Sequence, residues 1–234
     1  PGFTVRDMAF LAALLVRSLG VRGVHLVAGG SVGGMVALEW AASNPLPTRT
    51  VVSFAAPATR TAHALGVNRV QRRALALGGP RRGLALAREM AMLTYRTPAG
   101  LEARFADRKE PDGSWSVASW LRHHGRTLPD RMDAAAYLRL LDAMDGHDVG
   151  ADRGGAGPAL RAFPGTLVGV GVEGDLLYPP ETIQRWTRAA GARYRDIRTV
   201  HGHDAFLLEE DQVGAILSLS LRPEKLPCAL PLSS

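Results

Sequence analysis

Apolar residues recur along this chain with two alternating patterns. Near the start, Met8, Leu11, Leu14, Leu15 and Leu19 fall at helical spacing and Gly20 ends the run, which predicts an amphipathic helix. Thr4 stands in the N-cap position, and Asp7 adds negative charge to the first turn. "GVHLVAGG" follows as a short apolar run of the kind buried in a parallel sheet. Residues 33 to 43 predict a helix closed by Asn44-Pro45, and "RTVVSFAA" predicts the next strand. From about 60 to 147 the strand pattern stops. Helical segments take over: "RVQRRALAL", "RGLALAREMAMLTYR", "AGLEARFAD", "VASWLRHHGRTL" and "DAAAYLRLLDAMD". Gly, Pro and Asp clusters separate them, with "RKEPDGS" as an exposed turn. "GADRGGAGP" reads as a flexible joint. Strand and helix then alternate again through "GTLVGVGVEG", "PETIQRWTRAAG", "YRDIRTV" and "DQVGAILSLSL".

Strands alternating with helices imply a parallel sheet covered on both faces. A helical block spliced between two strands implies a lid on the carboxyl edge, where ligands bind. The expected division is a core over 1–59, a helical lid over 60–150, a second core segment over 151–222 and a loose Pro-rich tail over 223–234. No internal repeat is visible.

Composition narrows the function classes. The 234 residues suffice for one α/β domain, and 46% hydrophobic content is ordinary for a globular chain. The net charge of +6 suits an anionic small molecule, whereas the arginines are too scattered for a nucleic-acid footprint. The single cysteine, Cys228 in the tail, excludes an internal disulfide and a cysteine-only metal site, and no metal is expected. "MAFLAALLV" is too short to span a bilayer and follows charged Arg6 and Asp7, so no membrane role is expected and a soluble cytoplasmic protein is the default. The start at Pro1-Gly2-Phe3, without methionine, suggests a fragment or a processed chain.

The candidate chemistry sits in "VHLVAGGSVGGMVALEW". A Walker loop needs Lys followed by Ser or Thr after its last glycine, where this chain has Met35-Val36. A dinucleotide fingerprint needs glycine at position 31 and a carboxylate ending the next strand, which instead ends Ser53-Phe54-Ala55-Ala56. The pattern G-x-S-x-G is met by Gly29, Ser31 and Gly33 on a strand-turn-helix, with small residues expected at both flanks so that nothing collides across the sharp turn. The Val32 amide would then face a carbonyl under attack as an oxyanion donor. Alone, the pattern also fits a glycine-rich turn with an idle serine. Two later residues add weight. Asp175 lies just past the first strand after the lid, and His203 lies just past the last strand, in the order Ser, Asp, His. His203 would take the Ser31 proton while Asp175 fixes the imidazole tautomer. His201 competes with His203, and Asp204 stands ready for His203 or a substrate amine.

"TVRDM", "GGSVGGMVALEWA", "NRVQR", "RGLALAREMAMLTYR", "SWLRHHG", "DAAAYLRLLDAMDGHDVG", "GDLLYPP" and "GHDAFLLE" together resemble the homoserine O-acetyltransferase family, in family order from about residue 3 to 210. The resemblance implies an α/β-hydrolase fold, here as a partial parallel sheet flanked by helices with an all-helical lid insert. It implies a ping-pong acetyl transfer from acetyl-coenzyme A to the hydroxyl of L-homoserine in methionine biosynthesis. Ser31 would become acetylated, and no cofactor would stay bound. It further implies that Arg88 holds the homoserine carboxylate, that Tyr95 lines the same pocket and that Asp204 meets the amino group. A homodimer through the lid is implied as well. Arg88 and Tyr95, seven residues apart, would share a helical face. Arg72 matches a family position without an assigned role, and Asn68 and Gln71 beside it read as lid surface.

Two departures qualify this. The family carries a longer stretch before "TVRDM", which would supply further strands and a second oxyanion donor. The family's loop between "NRVQRRALAL" and "PRRGLALA" is cut to "GG". An esterase or thioesterase, or an inactive truncated family member, are the alternatives.

Overall fold

The computed structural model describes residues 2–222; the expected loose tail and Cys228 lie outside the described residues. Four parallel strands run in the order β1 (Val24–Gly30), β2 (Thr48–Phe54), β3 (Thr166–Val172) and β4 (Arg193–Ile197). Val51 pairs with Val27 and Leu167, which sets the carboxyl ends of the strands side by side. Alternate residues of each strand face opposite layers, as a period of two requires. Val51 and Leu167 join a core with helices α1 (Val5–Ser18), α2 (Val32–Ser43), α8 (Ala156–Arg161) and α9 (Pro180–Ala190). Val52, Val168, Val170 and Val172 face the other layer, built from α10 (Ala205–Leu208) and α11 (Glu210–Leu221).

The first helix starts as expected. Thr4 and Asp7 form a reciprocal capping box. The leucines that reveal its periodicity do not pack, however. Leu11 and Leu15 are each 62% exposed, while Val5, Ala9 and Ala13 form the buried face against α2. Small alanines let the two helices approach closely.

The lid comprises α3 (Ala62–Gly78), α4 (Leu84–Tyr95), α5 (Pro98–Phe105), α6 (Ser116–Thr127) and α7 (Ala134–Asp145). It has a small core of its own around Leu75, Leu84, Ala87 and Leu128. The shortened "GG" connection forms a π-helical turn over Gly79–Gly83. A Cβ on Gly83 would come within 2.6 Å of the Ala74 carbonyl, so glycine permits the tight passage from α3 into α4. The chain leaves and re-enters the core through one paired base. The Arg60 and Val149 amides donate to the carbonyls of His147 and Ala58, both at 3.0 Å, and Thr59 and Asp148 form an antiparallel bridge.

The segment expected as a flexible joint is folded. Arg153 binds Glu39 Oε2 at 2.8 Å and Ser43 Oγ at 2.7 Å, and the chain then enters α8. Glu39 is buried and also receives Arg6 at 3.3 Å. The glycines that suggested looseness permit close packing: a Cβ on Gly150 would stand 2.2 Å from the Ala156 nitrogen. No helix among the described residues is long and apolar enough to cross a membrane.

Candidate active site

Ser31 occupies the turn between β1 and α2 at φ 54°, ψ −121°, a conformation L-residues rarely adopt. Its amide donates to the Phe54 carbonyl at 2.9 Å, which ties the turn to β2. A Cβ on Gly29 would lie 2.2 Å from the Gly33 carbonyl oxygen, so the expectation of a bare flank holds there. It fails at Gly33, where a Cβ would meet nothing within 4 Å. Gly30 and Gly34 are demanding as well: a Cβ would stand 2.3 Å from the Phe206 ring at the first, and 2.6 Å from the Ala56 Cβ at the second, where α2 crosses β2.

The three residues anticipated from separate stretches of sequence meet. His203 Nε2 lies 2.8 Å from Ser31 Oγ, and His203 Nδ1 lies 2.8 Å from Asp175 Oδ2. Asp175 and His203 are each only 2% exposed. The other Asp175 oxygen accepts from the amides of Leu177 and Tyr178, both at 2.9 Å, which fixes the carboxylate and leaves Oδ2 for the imidazole. Tyr95, Tyr178 and Phe206 surround the His203 ring with centroids at 5.3, 5.6 and 5.8 Å. This packing leaves the ring one orientation. His201 is exposed and takes no part. Val32 is the first residue of α2, so its amide lies outside the intrahelical ladder and next to Ser31. In that geometry a serine hydroxyl can pass its proton to imidazole while a carboxylate steadies the resulting cation.

A cavity of about 200 Å³ opens beside Ser31 and Val32. Leu128, Met132, Leu141 and Met144 make most of it apolar, and a few polar groups converge on it. Arg88 and Tyr95 both line it from α4, with the guanidinium 5.5 Å from the Tyr95 ring centroid. Among the described residues, the buried Arg88 Nε has no hydrogen-bond partner. Burial holds the Tyr95 phenol above its ordinary range against the opposing pull of Arg88, so it stays neutral. Asp204 sits beside this group, but its Oδ2 is already paired with Arg96 at 3.0 Å, a partner the sequence did not reveal.

Asn68 and Gln71, expected on the lid surface, are instead buried at 6% and 3% exposure and line the cavity. Tyr137 and Tyr178 line it too and were not anticipated. Arg72 has a structural place, bridging Asp142 at 2.8 Å and Asp145 at 2.5 Å on α7. The signal for Gln71 was its distance of three from Asn68 on one helix face, which marks a shared environment but not which one.

No family model matches the chain. A homoserine O-acetyltransferase of Thermus thermophilus is 44% identical over 231 residues, covering 94% of this chain and 59% of the relative. Another, of Moorella thermoacetica, is 36% identical over 251 residues, covering 96% of this chain and 67% of the relative. The chain thus spans about three-fifths of the length of the first relative and two-thirds of the second. Among solved structures, homoserine O-acetyltransferase from Staphylococcus aureus superposes with a TM-score of 0.84 at 26% identity, over 97% of this chain and 67% of that one. The fold is that of the α/β-hydrolases, and the chain belongs to the homoserine O-acetyltransferase family.

Proposed function

We propose that the chain carries the acyl-transfer centre of a homoserine O-acetyltransferase and works by a ping-pong mechanism. The observation that carries this reading is the unbroken relay from Asp175 through His203 to Ser31, opening on a cavity lined by an arginine, Arg88, whose buried Nε has no hydrogen-bond partner among the described residues.

In the first half-reaction Ser31 Oγ attacks the thioester carbonyl of acetyl-coenzyme A as its proton passes to His203 Nε2. The Val32 amide and the positive end of α2 stabilise the oxyanion. The carbon–sulfur bond breaks, and the coenzyme A thiolate leaves with the proton from His203. In the second half-reaction His203 takes the proton of the homoserine hydroxyl. The hydroxyl oxygen attacks the acetyl-serine, and Ser31 Oγ leaves as its proton returns. Arg88 takes the acceptor's carboxylate through its spare N–H groups, beside neutral Tyr95. Asp204, steadied by Arg96, supplies negative potential on the same side for the ammonium. A cavity this small suits an amino acid better than a bulky ester.

The test is the intact mass of the protein after brief mixing with acetyl-coenzyme A, without acceptor. One added acetyl group is expected in the wild type and none in Ser31→Ala. Adding homoserine should discharge the acetyl group to O-acetylhomoserine. Discharge by water at the same rate would identify a hydrolase, and a folded wild type that never acetylates would overturn the reading.

A further inference from the structure

The cavity contains a line of side-chain hydrogen bonds whose direction is dictated from one end. Arg72 holds Asp145 Oδ2 at 2.5 Å. A carboxylate so paired only accepts, so Asn68, 2.6 Å from Asp145 Oδ1, must face it with its NH₂ group. The Asn68 oxygen therefore points at Gln71 and receives the Gln71 NH₂ at 3.5 Å. That leaves the Gln71 carbonyl facing Tyr137, whose hydroxyl must donate to it. Turning Asn68 round would set its oxygen against the Asp145 carboxylate, and turning Gln71 round would set its oxygen against that of Asn68, so this direction is the one that satisfies every contact. The single proton of the Tyr137 hydroxyl is thus committed. Its remaining hydrogen-bonding capacity, on a residue that lines the cavity, is to accept.

An ammonium brings three N–H groups, more than the charge of Asp204 alone satisfies, so an oxygen that can only accept is suited to it. Among the described residues lining the cavity there is a guanidinium, Arg88, and no carboxylate. Asp204, beside Tyr95, lies outside this lining with its Oδ2 paired to Arg96 at 3.0 Å, so it contributes charge to the ammonium from behind the lining. The Thr94 hydroxyl likewise gives its proton away, to the Ala91 carbonyl at 2.8 Å, and is a second oxygen in the lining that can accept.

We propose that the Tyr137 oxygen accepts a hydrogen bond from the ammonium group of the amino-acid acceptor, which makes it a specificity-determining residue that separates α-amino acceptors from their des-amino counterparts. This rests on the reading of the cavity as an acceptor site. Arg88 takes the carboxylate, and Tyr137, polarised by Gln71, takes an N–H. The pocket therefore recognises both ends of a zwitterion while keeping its own tyrosine neutral. Hydrogen bonds in a chain strengthen one another, so the length of this one adds to the basicity of its last oxygen.

The test is binding of L-homoserine and of 4-hydroxybutanoate, which lacks the amine, to the wild type and to Tyr137→Phe, by isothermal titration without acyl donor. The wild type is expected to prefer homoserine. Tyr137→Phe should cut that preference about tenfold or more, the range of one hydrogen bond to a charged group, and leave 4-hydroxybutanoate affinity unchanged. Gln71→Leu, which keeps the tyrosine but frees its proton, should reduce the preference in the same direction. An unchanged preference in both variants, an equal loss for both ligands, or no homoserine binding by the wild type overturns the inference. Failure of the catalytic reading shows separately, in the acetyl-enzyme mass.

Discussion

Gly29 and Gly33 hold equivalent places in the G-x-S-x-G pattern but face opposite steric demands. A methyl group at position 29 would overlap the Gly33 carbonyl, whereas at position 33 it would enter open space. Gly29→Ala is therefore expected to displace Ser31 from its φ of 54° and abolish acetyl-enzyme formation. Gly33→Ala should acetylate at close to the wild-type rate, and the two variants compared in the same mass measurement check this. Equal behaviour would show that the pattern acts through something other than steric clearance. At this scale much of the site was legible. Ser31, Asp175 and His203 each follow a strand-like run, and strand ends in a parallel sheet share one edge. Asn68, Gln71 and Tyr137 were not legible, because whether a polar residue on a lid helix faces solvent or the cavity depends on how the helices cross.

His147 shows what joins the elements. It follows α7, is 2% exposed and directs Nε2 to the Pro57 carbonyl at 3.1 Å, joining the returning lid chain to the loop after β2. Its Nδ1 has no partner among the described residues. Burial is the largest influence on the ring and holds its pKa below the usual histidine range, against the weaker pull of Glu39, the Pro57 carbonyl and Asp148. The unfolded chain takes up this proton near pH 6.5, and the folded chain does so only lower. Stability is thus retained above about pH 6.5 and falls as the pH drops below it, by up to about 1.4 kcal/mol per unit, until the folded ring protonates. His147→Gln keeps a donor for Pro57 but removes the titration. Between pH 8 and 5 the wild-type Tm should fall more steeply than that of the variant; parallel curves would remove His147 as the cause. Element positions came through well from periodicity, including every strand. The face that α1 buries did not, since its conspicuous leucines are exposed and its inconspicuous alanines carry the contact. The joint at "GADRGGAGP" misled for the same reason: glycine marks close packing as readily as slack.

For the molecule as a whole, the net charge of +6 meets a proposed donor rich in phosphate. Such an attraction acts at a distance and is screened, with a Debye length of about 10 Å at 0.1 M salt and about 3 Å at 1 M. The KM for acetyl-coenzyme A in the acylation step should therefore rise severalfold across that range, while the KM for zwitterionic homoserine, read at short range inside the cavity, should move little. Stopped-flow acylation and steady-state transfer at several salt concentrations measure the two. A KM for the donor that ignores salt would remove the long-range attraction from the account. The alternation of strands and helices made the architecture readable at this scale, and the unbroken helical stretch from 60 to 147 marked the lid. What no linear pattern reveals is that the lid's two ends touch, at Thr59 and Asp148. An insertion whose entry and exit are neighbours hangs on a short paired stem, yet this one also braces the edge that carries the relay, because Tyr95 packs on the His203 ring and Arg96 pairs with Asp204. Exchange of the mounted part would therefore reset substrate preference and the seating of His203 together, so the two are expected to evolve as a unit.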